Sequence, residues 1–336
     1  MSVETKGALV ISLDFELHWG VRDHTPLDQA ERKRLLAARA VVPEILAAFR
    51  EHTVRATWAT VGLLFARSRE EAMICRPERM PRYEQAGLDP YADRLGKNES
   101  EDPFHFAPSL IRMIADAPGQ EVGSHSYSHY YSLEAGQGGE DFKADLASAK
   151  RIAENSGYRL RSYVFPRNQV RGNYLPMLRQ AGFRTYRGTE PASSKAPVTF
   201  QEQRKPWARA LRLADAYFDL NGPQTVEFPR DENPAPVDAS RYLRPFSTVL
   251  RALESTRLNR IASAMKSAAQ EGRIFHLWWH PEDFASHPQQ NVDFLRRALN
   301  VFDTCRRDYG MKSLSMGDMS EVTHLNELAV SCGVRQ

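Results

Sequence analysis

Short apolar runs alternate with longer amphipathic stretches along most of the 336-residue chain. The short runs are typical of buried strands, and the longer stretches carry apolar residues at the spacing of a helix. Because strand and helix alternate throughout, the sequence predicts a parallel sheet covered by helices, an α/β architecture. The predicted strands are 8–13, 54–62, 121–125, 161–166, 183–188, 273–280 and 312–316. The predicted helices are 27–50, 107–117, 140–156, 173–182, 248–270 and 291–309.

The alternation shows neither an internal repeat nor a break between two domains, which favours one barrel-like domain over residues 1–336. Parallel barrels commonly reach about 250 residues, so a chain of this length suits one barrel. Two segments rich in charge and proline, near 68–106 and 189–247, are too long to be simple connections. Insertions of this length are typical of lids, binding loops or linkers, and their aromatic residues argue against plain disorder.

Composition excludes several classes of protein. The net charge is only +3, so the sequence does not suggest bulk binding of nucleic acid. Cys75, Cys305 and Cys332 are widely spaced and odd in number, which excludes a disulfide framework and fits a reducing compartment. The N-terminal apolar run is broken by Asp14, and no apolar stretch approaches the roughly 20 residues that span a bilayer. These features predict a cytoplasmic protein without a signal peptide or a membrane-spanning segment.

Polar side chains follow the first predicted strand, at the end where parallel barrels carry their functional residues. In the stretch DFELH, Asp14, Glu16 and His18 alternate with apolar residues, so they share one face if the chain stays extended. The preceding run is apolar on both faces, which indicates a buried strand rather than a surface strand. A buried carboxylate needs a partner, and a metal ion or an arginine would supply one.

Other strand ends carry histidine, arginine and asparagine. His125 and His129 lie four positions apart, and on a helical turn this spacing would direct both imidazoles to one metal ion. Taken alone, such a pair is more often two surface or hydrogen-bonding histidines. Arg167 and Asn168 follow the fourth predicted strand, and His280 ends the sixth. The recurrence of these residue types at successive strand ends is difficult to assign to core packing and predicts a functional site.

The residues at these strand ends resemble the motifs of the polysaccharide deacetylase family. SLDFE at 12–16 is similar to the Asp-x-Asp/Glu form of its first motif, and HSYSH at 125–129 matches its His-Ser/Thr-x-x-His motif. FHLWWHP at 275–281 resembles its last motif, and the motifs keep the family order over roughly residues 8–320. Three features depart from the pattern. The second carboxylate, Glu16, is a glutamate displaced by one position from the commonest form of the first motif. FPRN at 165–168 places the arginine on the other side of the motif's proline, and Asp-x-x-Asp-Trp has no clear equivalent.

The resemblance implies a distorted (β/α) barrel that binds a divalent metal ion, with zinc expected first. Glu16, His125 and His129 are the implied ligands, since two imidazoles, one carboxylate and an open position suit catalytic zinc. Divalent ions other than zinc are also compatible with this set of ligands. The ion would lower the pKa of a bound water towards about 7 and polarise the acyl carbonyl. At this stage Asp14 and Glu16 are interchangeable as base and ligand.

The same resemblance implies three catalytic residues. Asp14 would act as general base, and His280 would act as general acid towards the leaving amine. An ion pair with Arg167 would keep Asp14 oriented and ionised, and the backbone N–H of Arg167 would help to hold the oxyanion. Trp278 and Trp279 face opposite sides of a strand, so one is expected in the core and the other beside the acyl group. The residues expected to contact substrate are His18, Trp19, Asn168 and Trp279.

The resemblance implies a hydrolase that removes an acetyl or formyl group from the nitrogen of an amino sugar or a surface-polysaccharide precursor. In a cytoplasmic protein, the substrate would be an N-acylated sugar, a sugar nucleotide or a lipid-linked glycan rather than a mature wall polymer. Two other functions stay open, namely hydrolysis of a linear or cyclic amide that is not a sugar, and glycan binding by a catalytically inactive barrel. No nucleic-acid partner is expected, and a homo-oligomer stays open.

Overall fold

A computed structural model describes residues 6–190, 224–229 and 232–321 of the chain, and the single positions 213, 217 and 222. The strands are β1 (Ala8–Phe15), β2 (Ala56–Thr60), β3 (Gln120–Ser124), β4 (Ser162–Tyr163), β5 (Thr185–Gly188), β6 (Ala235–Asp238), β7 (Arg241–Tyr242), β8 (Ile274–Trp279) and β9 (Lys312–Leu314). The α-helices are α1 (Gln29–Glu51), α2 (Arg69–Ile74), α3 (Pro108–Asp116), α4 (Gly139–Asn155), α5 (Leu175–Gln180), α6 (Glu254–Glu271) and α7 (Pro288–Tyr309). The strands form one sheet in the order β6-β5-β4-β3-β2-β1-β8-β7, with β9 beside β1, and each neighbouring pair is parallel.

This arrangement confirms the predicted α/β class and its distorted (β/α) barrel. Every predicted strand and helix is present, although the ends of several differ by a few residues. Part of the segment 189–247 is not a loop insertion as predicted, because it contains β6 and β7 of the sheet. The other predicted insertion, 68–106, contains α2. Both missed strands are short and β6 contains Pro236, so neither shows an apolar alternation. Most of the residues from 191 to 223 lie outside the described part of the chain.

One continuous segment joins the two edges of the sheet. Its first half, β6, pairs with β5, and its second half, β7, pairs with β8. Between them, the N–H of Ser240 donates to the carbonyl of His276 (2.8 Å), and the hydroxyl oxygen of Ser240 accepts from the N–H of His276 (2.9 Å). The sheet therefore curls into a barrel, and the carboxyl ends of its strands meet at one rim.

Helix α1 shows how the sequence places a helix on this barrel. The side chain of Asp28 accepts a hydrogen bond from the N–H of Glu31 (2.9 Å) and caps the first turn. The apolar residues that recur at helical spacing are all buried against the sheet, namely Leu35, Val42, Ile45, Leu46 and Phe49. Phe49 packs edge-on against Trp279 of β8, with ring centres 6.2 Å apart. None of the helices in the described ranges is long and apolar enough to span a membrane.

Along β1, the inward face changes from apolar to charged towards the carboxyl end. The outward residues pack in the large cluster beneath the helices and are Leu9, Ile11, Leu13 and Phe15. Ala8 and Val10 belong instead to a second apolar cluster that fills the barrel interior. Ser12 and Asp14 follow on the same inward face, because strand side chains alternate. The apolar interior therefore lies below, and the polar site lies above at the rim where functional residues are expected.

His276 is a structural residue of the barrel interior. Its Nδ1 lies 3.1 Å from the carbonyl oxygen of Asp238, which can only accept, so Nδ1 carries the proton. Its Nε2 then accepts from the hydroxyl of Ser12 at 2.8 Å. Burial, reinforced by the charge of Arg187, lowers the pKa of His276 to about 3. The ring is therefore neutral and fully hydrogen-bonded.

Replacing His276 by asparagine should flatten the pH dependence of stability. Because the pKa is about 6.5 in an unfolded chain and lower in the folded protein, the unfolded state gains protons first as the pH falls. Between pH 7 and pH 5 this difference should cost the wild-type protein about 2 kcal/mol of unfolding free energy. Asparagine keeps a donor near the Nδ1 position and does not titrate. Urea denaturation at both pH values measures the effect, and equal pH dependence in the two proteins would contradict a neutral His276.

Candidate active site

Asp14 lies at the carboxyl end of β1 and is paired with an arginine from across the barrel. Its carboxylate accepts two hydrogen bonds from Arg187 of β5, with Nη1–Oδ1 and Nη2–Oδ2 distances of 2.6 Å. Strands β2, β3 and β4 separate β1 from β5 in the sheet, so the pair crosses the interior. Asp14 is 2% exposed and Arg187 is 1% exposed. The bidentate contact is thus the main stabilisation of both charges.

Other neighbours of Arg187 complete this buried network. Asn168 Oδ1 accepts from Nη2 (2.8 Å) and Nε (3.2 Å), and Ser12 Oγ accepts from Nη1 (3.1 Å). The ring centre of Trp278 lies 4.3 Å from the guanidinium carbon. Burial alone would raise the pKa of Asp14, but the charge and hydrogen bonds of Arg187, together with the nearby His125 and His280, outweigh burial and lower the pKa below its usual range. Asn168, expected at the substrate, uses its carbonyl oxygen to hold the arginine.

Arg167, predicted to pair with Asp14, contacts different partners. Its Nη2 lies 2.6 Å from Asp23 Oδ2, and its guanidinium carbon lies 4.3 Å from the ring centre of Tyr131. The predicted ion pair is therefore wrong, because Arg187 takes that place. Arg167 stands in the turn after β4 with a φ of 57°, beyond the strand end. The sequence did carry a signal for Arg187, because alternation in TYRG turns one threonine and one arginine to the same face.

The extended chain does not continue beyond β1, so the single face predicted for the stretch DFELH is not maintained. Leu17 has a φ of 50°, a left-handed conformation that is costly for a side chain with a Cβ atom. The carboxylate of Glu282, which follows β8, accepts the N–H groups of both Glu16 (3.2 Å) and Leu17. His18 packs instead against His105, with ring centres 5.2 Å apart. Glu282 therefore stabilises the turn that presents Glu16.

His125 and His129 occupy a turn that is not helical. Ser126 and His129 have φ values of 61° and 58°, and α4 begins only at Gly139. The prediction of a helical turn is therefore wrong, yet the two imidazoles converge. Nε2 of His125 and Nε2 of His129 lie 2.8 and 3.2 Å from the same atom, Oε1 of Glu16. All three residues are buried, and their ligand atoms lie within 4.8 Å of one another.

The hydrogen bonds of His125 test whether these residues fit a metal ion. Nδ1 lies 3.0 Å from the carbonyl oxygen of Val164, which only accepts, so Nδ1 carries the proton. In the neutral form that binds metals, the ring presents the lone pair of Nε2 to the carboxylate of Glu16, which also only accepts. A cation between the two groups removes this conflict, and a carbonyl on the other ring nitrogen is the usual outer contact of a metal-binding histidine. The residues therefore fit a divalent ion.

The protonation states of the cluster also suit a cation. Burial lowers the pKa of His129 to about 4, against the effect of the nearby Glu16 charge. Burial alone would raise the pKa of Glu16, but the neighbouring His129 and His280 lower it well below its usual range. At neutral pH the cluster thus offers an ionised carboxylate and a neutral imidazole, which are the forms that bind metals.

His280 follows β8 and faces both carboxylates of the site. Its Nε2 lies 3.9 Å from Asp14 Oδ2 and 3.8 Å from Glu16 Oε1. On the other side, Asp283 Oδ2 lies 3.0 Å from Nδ1 and accepts a hydrogen bond from the hydroxyl of Tyr242 (2.7 Å). Burial lowers the pKa of His280, but Asp283 and the other two carboxylates outweigh burial and raise the pKa to about 10. His280 is therefore a proton donor at neutral pH, and Asp283 is a neighbour that the motifs did not indicate.

Trp278, and not Trp279, borders the site. Trp279 is fully buried and stacks on Phe284, with ring centres 5.7 Å apart, so the prediction that it contacts substrate is wrong. Trp278 lies over Arg187, and its ring centre is 5.8 Å from that of His280. The alternation of β8 explains the difference, because Trp278 shares the inward face and Trp279 shares the face beneath the helices.

His18 and Trp19, also expected at the substrate, are buried beside the segment that precedes α3. Nε1 of Trp19 donates to the carbonyl oxygen of His105 (3.1 Å), and Trp19 is only 1% exposed. Nδ1 of His105 in turn lies 2.9 Å from the carboxylate of Asp102. Trp19 therefore packs this segment against the turn after β1, and its predicted contact with substrate is wrong. His18 keeps its place beside the Glu16 turn, and its contact with substrate stays a prediction.

The fold is a distorted (β/α) barrel, and carboxylates and imidazoles converge at one of its rims. Residues 28–186 match the family model described as polysaccharide deacetylase. This span belongs to the polysaccharide deacetylase family, as the motifs indicated. The match contains His125 and His129, whereas Asp14, Arg187 and His280 lie outside it.

Solved structures share this fold. A "putative polysaccharide deacetylase from Mycobacterium smegmatis" superposes with a TM-score of 0.61 at 14% identity, covering 97% of this chain and 93% of that chain. Puue allantoinase superposes with a TM-score of 0.53 at 13% identity, covering 97% of this chain and 92% of that chain. Among curated proteins, no sequence matches the chain. At these identities the likeness establishes the fold, so the roles of individual residues rest on their geometry.

A double-mutant cycle should show that Asp14 and Arg187 are strongly coupled. Asp14→Asn and Arg187→Met each leave one buried charge without its partner, which costs about 3–5 kcal/mol of unfolding free energy. The double variant removes both charges and should lose markedly less than the sum of the single losses. Denaturant unfolding of the four proteins provides the measurement. Simple additivity would contradict the direct pairing seen here.

Proposed function

We propose that the protein is a divalent-metal-dependent hydrolase that removes an N-acyl group from an amino sugar. One observation carries the proposal, namely that Glu16, His125 and His129 converge on one point beside the Asp14–Arg187 pair. Amide hydrolysis needs an electrophilic centre for the carbonyl and a base for the attacking water. The ligand cluster supplies the first, and the separately held carboxylate supplies the second. The family match of residues 28–186 supports an acyl group on a sugar nitrogen as the target.

Glu16, His125 and His129 would hold the metal ion, which supplies a Lewis acid for the acyl carbonyl and makes a water more acidic. Asp14 is placed to take a proton from the attacking water as the water oxygen bonds to the carbonyl carbon. The guanidinium of Arg187 keeps Asp14 ionised and fixes the direction of its remaining lone pairs. Arg187 is in this respect a positioning residue rather than a catalytic one.

His280 supplies the second proton transfer. As the C–N bond breaks, Nε2 of His280 donates its proton to the leaving nitrogen, so that the amine departs uncharged rather than as an amide anion. Asp283 holds the ring from Nδ1, and Tyr242 in turn donates to Asp283. The products are a free amine and a carboxylic acid, and the proton taken up by Asp14 balances the one lost by His280.

The proposal also covers the acyl pocket, the metal ion, the cellular location and the substrate. Trp278, which borders the site, would form the apolar wall for a small acetyl or formyl group. Cys75 and Cys305 are buried and free, which supports a reducing compartment. We accordingly propose zinc as the ion, the cytoplasm as the location, and a sugar nucleotide or lipid-linked precursor of a surface polysaccharide as the substrate.

Metal content should separate the ligands from the other histidines. Wild-type protein should contain close to one zinc or other divalent ion per chain by elemental mass spectrometry, and His125→Ala and His129→Ala should each lose it. His52→Ala is the matched control, because His52 is also buried but pairs with Asp303 far from the cluster. If the wild-type protein binds no divalent ion after reconstitution, the proposed mechanism is refuted, and a glycan-binding barrel is favoured.

Asp14→Asn and His280→Asn should separate catalysis from metal binding. Each variant should keep its metal while kcat for acetate release falls by about 10²- to 10⁴-fold, since each loses one proton transfer. The substrates to compare are an N-acetylated sugar nucleotide, its N-formyl counterpart and a cyclic ureide. Turnover of the ureide alone would favour the non-sugar amide function, and unchanged kcat in both variants would refute the assigned roles.

A further inference from the structure

The turn between the two histidine ligands has an unusual backbone. Ser126 and His129 both have positive φ, a region that side chains with a Cβ atom occupy at a cost in free energy. The N–H groups of Tyr127 and Ser128 donate to no backbone carbonyl among the described residues. Both residues are buried, so water does not satisfy these groups either. Something other than regular secondary structure must hold the turn.

Asp145 of α4 accepts both of these N–H groups. Its Oδ1 lies 2.7 Å from the nitrogen of Tyr127, and its Oδ2 lies 3.2 Å from the nitrogen and 2.6 Å from the hydroxyl oxygen of Ser128. Asp145 is completely buried, and within the described ranges no lysine, arginine or histidine forms an ion pair with it. A carboxylate buried without a cation is tolerated only where hydrogen bonds satisfy it. The turn and Asp145 therefore depend on each other.

The carbonyl side of the same turn is fixed by the chain that follows β2. The carbonyl oxygens of Ser126 and Tyr127 accept from the N–H groups of Gly62 (2.8 Å) and Leu63 (3.0 Å). A Cβ atom at Gly62 would meet the Cα atom of Tyr127 at 2.7 Å, so the two backbones are in close contact. Backbone groups therefore hold the carbonyl side of the turn, and Asp145 orients the N–H groups of Tyr127 and Ser128 between the two ligands.

We propose that Asp145 is a positioning residue of the metal site, which holds the turn so that His125 and His129 direct their imidazoles to one ion. The inference rests on the proposed metal-dependent function and adds a residue to its metal site. Asp145 acts on the backbone between the two ligands and does not contact their imidazole rings. Outer contacts that orient ligands commonly change metal affinity by about 10- to 100-fold. Asp145 lies on α4, outside the motif at 125–129 that contains the two histidines.

Helix α4 provides a matched control for this proposal. Asp141 lies about one turn before Asp145 on the same helix and is also mostly buried. Its carboxylate accepts the N–H of Gly138 (2.8 Å) and pairs with Arg79 (2.5 Å), and neither contact reaches the histidine turn. A loss of metal affinity that came only from weakening α4 would therefore appear in Asp141→Asn as well.

The experiment measures zinc affinity by competition with a chelating dye, and records the visible spectrum after loading with Co²⁺. Asp145→Ala should bind zinc about 10- to 100-fold more weakly than wild type. Asp145→Asn and Ser128→Ala, which remove fewer of the hydrogen bonds, should show smaller losses. The Co²⁺ spectrum should change in the Asp145 variants, because it reports ligand geometry, and should stay unchanged in Asp141→Asn.

The outcomes distinguish this proposal from the proposed function. If wild type binds zinc tightly while all Asp145 variants and Ser128→Ala match its affinity and spectrum, the role of Asp145 is refuted and the metal site stands. Equal losses in Asp141→Asn and Asp145→Asn would also refute it, since they would indicate a general effect of α4. If wild type binds no zinc and no other divalent ion, the proposed function fails first and the inference falls with it. Should Asp145→Ala not fold, Asp145→Asn and Ser128→Ala decide the question.

Discussion

The ion pair between Asp14 and Arg187 is the constraint on which the arrangement of the site depends. A carboxylate at the top of an apolar barrel interior would be protonated, or would destabilise the fold, without a partner. The guanidinium reaches it from across the barrel and binds both of its oxygens. Glu16 is therefore the carboxylate that remains to face the histidines. One contact through the interior thus gives two nearby acidic residues different partners.

These different partners decide the acid–base chemistry that the rim can perform. Asp14 is next to a permanent cation, and Glu16 is next to an imidazole that burial keeps neutral. His280 lies between the two carboxylates with a third, Asp283, behind it, which favours the protonated ring. Groups of the same chemical type are thus separated in function by their surroundings, which is how one site provides both a base and an acid.

Local periodicity predicted the helices and most strands, because apolar spacing reports which face of an element is buried. Local periodicity could not predict contacts between elements that are distant in sequence. No spacing connects Asp14 with β5, and Arg167 was the arginine nearest to the expected motif. The convergence of His125 and His129 was expected and is observed, although their turn is left-handed, a conformation without a sequence signal when glycine is absent. Asp145 was visible only as a polar residue within the apolar stripe of α4.

The adjacent tryptophans of β8 have a consequence for how this strand selects its alignment in the sheet. Sliding β8 by one residue would exchange Trp278 and Trp279 between the two faces with little change in the aromatic surface removed from water. The hydrophobic effect therefore discriminates weakly between the two alignments at this point. His276 does discriminate, because the slide would remove its imidazole from Ser12 and from the carbonyl group of Asp238. A buried polar ring, rather than the largest apolar side chains, thus specifies the alignment of the strand that precedes His280.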